Sequence, residues 1–150
     1  MAILLVVDTI DAAEKIAEGL TKRGHQFLPF HAALPMKKRR EIIEKLRSGQ
    51  LDGIVATTIG DEGIDIPAIN SIILLTGKAL GRHRQRIGRA SRRKLGRNMF
   101  EIHDICLIGS LAARHSALRF LRYLAWDWET KLIYKSEALL AAFMQILEEC

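Results

Sequence analysis

The segments Ala2–Val7 (AILLVV), 53–57 (GIVAT) and 71–75 (SIILL) are apolar without interruption, where a strand with one wet face would alternate apolar and polar residues. Such a strand must be covered from above and below, as happens when crossover helices pack on both sides of a parallel sheet. Helical patterns stand between the runs. Asp11 is placed to cap the first, with Glu14 three residues on, Ile16 and Leu20 one turn apart, and Gly24 beyond the end. HQFLPF (25–30) reads as a short strand, and Pro29 assigns it to an edge or a strand end. Pro35 suits the first turn of a second helix, with Met36, Ile43 and Leu46 turned to the core and Ser48-Gly49 at its end. A helix over 81–91, a strand over 99–108 and a helix over 111–123 carrying Leu111, Leu118 and Leu121 follow. The last helix starts at Ser136 and has an apolar stripe of Leu139, Leu140, Phe143, Ile146 and Leu147. The expected fold is α/β, a parallel sheet flanked by helices on both faces.

A chain of 150 residues suits one such domain with a real core. No stretch is apolar enough for long enough to span a bilayer, and the start lacks the basic region and cleavage site of a secretory signal. A cytoplasmic protein with no membrane partner is therefore expected. The polar face of the terminal helix lacks the dense lysines of interfacial helices, so its apolar stripe reads as core or partner interface. Cys106 and Cys150 read as reduced thiols, and the histidines show no metal-ligand spacing.

The net charge of +6 is unevenly placed. No acid stands between Asp65 and Glu101, while Lys78, Arg82, Arg84, Arg86, Arg89, Arg92, Arg93, Lys94 and Arg97 all do. That concentration points to a phosphate-bearing partner, against the alternative of a solvated basic face. On a helix over 81–91, Gln85, Arg89 and Arg92 share one face and Arg82, Arg86 and Arg93 an adjacent stripe. Paired guanidinium groups on a rigid face can clamp phosphate oxygens, and Gly88 leaves room for close approach.

QRIGRASR (85–92) closely resembles motif VI of superfamily 2 helicases and translocases, of form Q-R-x-G-R-x-x-R. ATTIGDEGIDIP (56–67) resembles their motif V and LLVVDTIDAAEKIAEGL (4–20) their motif IV. FHAALPMKKRREIIEKLRSGQ (30–50) is similar to the block that follows motif IV, with its early histidine and central arginine. FEIHDI and AARHSALRFLRYL are similar to the final strand and helix of the branch holding repair, recombination and phage-type DNA translocases.

The resemblance implies a second, RecA-like lobe over 1–126, with 127–150 as a C-terminal extension whose helix packs on the same domain or on a partner. It implies that Arg89 and Arg92 are arginine fingers stabilising charge on a transferring γ-phosphoryl group. Gln85, Gly63 and Asp65 would face the nucleotide, with Arg86 at the phosphates or the interlobe contact. Thr9, Arg39, Thr57 and Thr58 would touch the nucleic-acid backbone. Such contacts position without reading sequence. On their own, Asp65 can equally cap a turn before Pro67, Arg39 can be a surface charge, and His31 can satisfy a loop carbonyl.

Motors of this kind need a first lobe with a P-loop, and none is found in this sequence. TGKAL (76–80) has Ala79 where Ser or Thr is required and Ile72 where the first glycine belongs. The implied function is the second motor lobe of an ATP-dependent DNA helicase or translocase. ATP and Mg²⁺ would be used only together with an N-terminal RecA-like P-loop lobe, in the same parent protein or a separate subunit, and the chain alone would not be an active ATPase. ASR (90–92) in place of the TGR common in RNA-dependent members favours DNA over RNA. The alternative is a stand-alone nucleic-acid-binding or helicase-regulating module without catalysis.

Overall fold

The computed structural model describes residues 2–57, 69–77, 101–106, 111–126 and 129–150. The helix expected over 81–91 lies outside the described residues. The chain divides into two compact units, Met1–Thr76 with Arg82–Asp104, and Gly77–Gly81 with Ile105–Cys150.

In the first unit, β1 (Ala2–Val6), α1 (Ile10–Lys22), β2 (Phe27–Phe30), α2 (Met36–Arg47), β3 (Gly53–Ala56), β4 (Ile69–Leu74) and β5 (Glu101–Asp104) follow in order. The five strands form one sheet in the order β2-β3-β1-β4-β5, and every described pairing is parallel. β1 lies inside, with Leu4 between Ile54 and Ile72 and Val6 between Ala56 and Leu74. Side chains alternate across the sheet. Leu5, Val7, Phe27 and Val55 therefore meet Ala13, Ala17, Ile16 and Leu20 of α1 on one face. The other face carries Leu4, Val6, Ile54, Ala56, Ile72 and Leu74, all buried. The step from β1 to β2 runs toward one edge and the step from β2 to β3 runs back, so right-handed crossovers put α1 and α2 on opposite faces. The expected parallel sheet is present, with Pro29 on an edge strand as expected.

The helix ends correct the sequence reading in detail. The N-cap of α1 is Thr9, whose Oγ1 accepts from the Ala12 N–H at 3.1 Å. Asp11 sits instead in the first turn, paired with Lys15 at 2.9 Å. That contact raises the Lys15 pKa through hydrogen bonding and charge attraction. Pro35 is the N-cap of α2, one place before the first turn. Both helices end on a glycine in the left-handed region, Gly24 (φ 90°) and Gly49 (φ 76°). Past these, His25 N–H reaches Leu20 O at 3.1 Å and Gln50 N–H reaches Lys45 O at 2.9 Å, closing the last turns. Leu46 is buried as expected, but Met36 is 54% exposed, and Ile42 takes the core position one turn before Leu46. The expected strand over 99–108 is shorter among the described residues, ending at Asp104.

The second unit holds α3 (Leu111–Ala125) and α4 (Glu137–Glu148). Ser136 caps α4, its Oγ accepting from Leu139 N–H at 3.3 Å. Phe120 and Phe143 meet edge to face with centroids 5.5 Å apart, so the terminal helix packs on α3. The buried face of α3 is Ala113, Ser116, Ala117, Arg119 and Tyr123. Of the leucines noted in the sequence, Leu111 is 81% exposed, Leu121 is exposed and Leu118 is half-buried. Small residues make up most of this face, and Arg119 donates from Nη2 to Ser116 Oγ at 3.1 Å. His115 Nδ1 lies 2.7 Å from the Gly77 carbonyl oxygen, which can only accept, so the ring carries its proton on Nδ1. No helix of the described residues is long and apolar enough to cross a membrane.

Gly53 marks the tightest point of the sheet unit. A Cβ there would press on the Ile3 carbonyl oxygen and lie 2.5 Å from Phe27 Cε1. Gly53→Ala is expected to cost about 1–3 kcal/mol. Gly49→Ala, with open space around it but positive φ, is expected to cost about 1 kcal/mol. Denaturant unfolding followed by circular dichroism checks both. Equal stability of Gly53→Ala and the parent chain would contradict this packing.

Candidate functional site at the carboxyl edge of the sheet

Parallel strands all end on one side, and in an open α/β sheet that side gathers the loops that form a ligand crevice. Here the register puts Phe30, Ala56, Val6 and Leu74 in one row near the carboxyl edge. The ladder runs on slightly past the strands, with Val7 N–H to Ala56 O and Leu75 N–H to Val6 O, each at 2.9 Å. Beyond this row come His31 after β2, Thr57 after β3, Asp8 and Thr9 after β1, and Thr76 after β4. The chain enters both the 58–68 and 78–100 segments from this edge.

Two of the expected nucleic-acid contacts, Thr9 and Thr57, lie on that edge. Thr57 is half-buried, its N–H directed at Phe30 O at 3.4 Å. Thr9 is exposed. Its oxygen is engaged in capping α1, which leaves the hydroxyl proton available for donation to an incoming oxygen. The unpaired N–H groups of the first turn of α1 open at the same edge, where the helix dipole favours an anion.

Arg39 stands on α2, in the helix that follows the β2 edge loop. It is half-buried, not a freely solvated side chain, and it lines a groove between Phe30 and α2 of about 430 Å³. The remaining expected site residues, Thr58, Gly63, Asp65, Gln85, Arg86, Arg89 and Arg92, lie outside the described residues.

Two features escaped the sequence reading. Thr76 Oγ1 donates to Asp8 Oδ1, tying the loop after β1 to the loop after β4. Thr76 is 5% exposed, so this bond is largely shielded from water. The signal was the equal offset of Asp8 and Thr76 from the ends of their apolar runs, meaningful only once the parallel register is known. His31, expected to satisfy a loop carbonyl, is buried with Nε2 at 3.4 Å from Glu14 Oε1. Neither ring nitrogen has a hydrogen-bond partner among the described residues. Glu14 therefore faces the β2 loop instead of completing a capping box. Among the described residues, no three His, Cys, Asp or Glu side chains converge as metal ligands.

Residues 1–94 match the helicase conserved C-terminal domain. UvrABC system protein B of Pseudothermotoga lettingae is 33% identical over 100 residues, which is 63% of this chain and 15% of that protein. ATP-dependent RNA helicase dbp5 of Botryotinia fuckeliana is 31% identical over 70 residues, 47% of this chain and 15% of that protein. The chain thus spans about one seventh of the length of these relatives. The solved structure of Mycobacterium smegmatis helicase Lhr bound to ssDNA and AMP-PNP superposes with a TM-score of 0.64 at 20% identity, covering 88% of this chain and 18% of that one. The fold is that of a RecA-like helicase C-terminal lobe. With residues 1–94 of its 150 matched, this chain belongs to the helicase conserved C-terminal domain family.

Proposed function

We propose that this chain is the second motor lobe of an ATP-dependent DNA helicase or translocase, acting across a cleft from a P-loop lobe. The observation that carries this reading is the match over residues 1–94, with Thr9 and Thr57 on the carboxyl edge from which the motif V and motif VI segments depart. In this reading the partner lobe holds ATP and Mg²⁺. Arg89 and Arg92 reach over to the γ-phosphoryl group and stabilise the negative charge that spreads over its oxygens during transfer. Gln85, Gly63, Asp65 and Arg86 line this chain's side of the nucleotide. Thr9, Arg39, Thr57 and Thr58 hold the nucleic-acid backbone by its phosphates, without reading bases.

DNA as the track is supported by the ASR ending of motif VI and by the likeness to UvrABC system protein B. The relatives also include an RNA helicase, so the choice of strand chemistry rests on measurement. An assembled protein of this kind stays inactive until both lobes meet, because the phosphate cradle and the arginines stand on different halves.

Reconstituted with a P-loop lobe, the chain is expected to support nucleic-acid-stimulated ATP hydrolysis. Arg89→Ala and Arg92→Ala are each expected to lower kcat by about 10³-fold or more, with DNA binding nearly unchanged. Retained hydrolysis in both variants would refute the finger assignment. Full DNA binding with no hydrolysis under any pairing would favour the non-catalytic binding module. Binding of the chain to single-stranded oligonucleotides should weaken steeply with salt. Arg39→Ala should reduce the slope of log affinity against log salt by about one, the signature of one lost phosphate contact. Competition between DNA and RNA of the same sequence, measured by fluorescence anisotropy, is expected to favour DNA.

A further inference from the structure

Both helices of the second unit carry a face that their own unit leaves open. On α3, Ala113, Ser116, Ala117 and Tyr123 mark the buried side. Across the helix, Leu111, Arg114, Leu118 and Leu121 follow at i, i+3, i+7 and i+10 and form one stripe, with Leu118 half-buried and the other three exposed. Arg122 borders it. A surface helix keeps a polar outer face, whereas a helix with apolar residues on both sides belongs between two neighbours. On α4, Phe143 is buried, while Glu137, Ala141, Met144 and Glu148 stand at i, i+4, i+7 and i+11 and are all exposed. Phe120 and Phe143 turn the two helices toward each other, and both open stripes lie away from that contact. One copy therefore cannot bring its two stripes together.

We propose that the open stripe of α3 in one copy seats on the open stripe of α4 in a second copy. Charge selects this occupant. α3 contains no acid and α4 contains no base. Among the described residues no carboxylate pairs with Arg114 or Arg122, and no cation pairs with Glu137 or Glu148. Laid antiparallel, the helices bring Arg114 to Glu148 and Arg122 to Glu137. The two cations are separated by about 12 Å along α3 and the two carboxylates by about 16 Å along α4, a difference that flexible arginine side chains span. Opposite helix ends then meet, as the helix dipoles favour. Between the charges Leu118 and Leu121 meet Ala141 and Met144, where the small alanine leaves room for a leucine and the thioether adapts to its contour. Because the stripes look away from each other, the contact runs head to tail, α3 of each copy taking α4 of the next. No residue assigned to nucleotide or nucleic acid lies on either stripe, so this contact is independent of the motor role.

Sedimentation velocity of the whole chain at low salt tests the contact. The average mass is expected to rise with protein concentration and to fall when salt is added. Arg114→Glu and Glu148→Arg each set like charges against each other and are each expected to weaken self-association by about tenfold. Mixed in equal amounts, the two variants should associate with each other about as strongly as the parent chain does with itself, since every α3 then meets an α4 of opposite charge. Both positions are exposed, and unchanged circular dichroism confirms the fold. A chain that stays monomeric at every concentration, or a mixture that associates no better than either variant alone, overturns the proposal. A monomeric chain that instead binds an added P-loop lobe, with that binding lost in Leu121→Glu, also overturns it and assigns the α3 stripe to the other lobe.

Discussion

The hydrogen-bonded ladder on both sides of β1 is the constraint from which the rest of the sheet unit follows. Val6 lies between Ala56 and Leu74, and the same register carries through Leu4, Ile54 and Ile72. Parallel pairing demands crossovers, crossovers demand helices on both faces, and covered faces demand strands apolar at every position. Val55 and Leu74 are wholly buried, and Ile54 nearly so. Because all the strands run the same way, every loop that leaves a carboxyl end opens on one edge. The chemistry is collected there by topology, before any particular side chain is considered.

The apolar runs made the strands of this sheet legible, since an unbroken run has few other homes. Glycines past the ends of α1 and α2 were legible for a similar reason, as few residues accept the positive φ that Gly24 and Gly49 adopt. Burial within a helix was harder to read. Periodicity identifies a stripe, but which stripe faces inward depends on where the helix starts. Met36 falls on the open groove while Ile42 goes to the core. In α3 the buried face includes Ala113, Ser116 and Ala117, and the larger Leu111 stands out in water. Arg119, nearly fully buried, goes against any hydropathy rule, and Ser116 Oγ accepts one of its hydrogen bonds.

At the candidate site, the edge positions of Thr9 and Thr57 were legible because both stand at the ends of apolar runs. Asp8 and Thr76 were not, because their bond joins residues far apart in sequence that only the register makes neighbours. Thr9 shows how one side chain takes on local structure and a surface role together. It caps α1, a contribution of about 1 kcal/mol, and still points a hydroxyl out at the edge. The sheet unit therefore presents a polar carboxyl edge suited to phosphates and, along α2, a groove lined by Phe30, Met36, Ile43 and three arginines, Arg39 among them.

The central claim is that nucleic acid meets this chain along the carboxyl edge. Backbone amide shifts recorded by nuclear magnetic resonance during titration with oligo-dT address it directly. The amides of Thr9, Ile10 and Thr57 should move, while Gln26, Asp52, Asn70 and Glu101, at the opposite ends of the strands, should stay in place. Movement concentrated at those four residues, with Thr9 and Thr57 unaffected, would contradict the account.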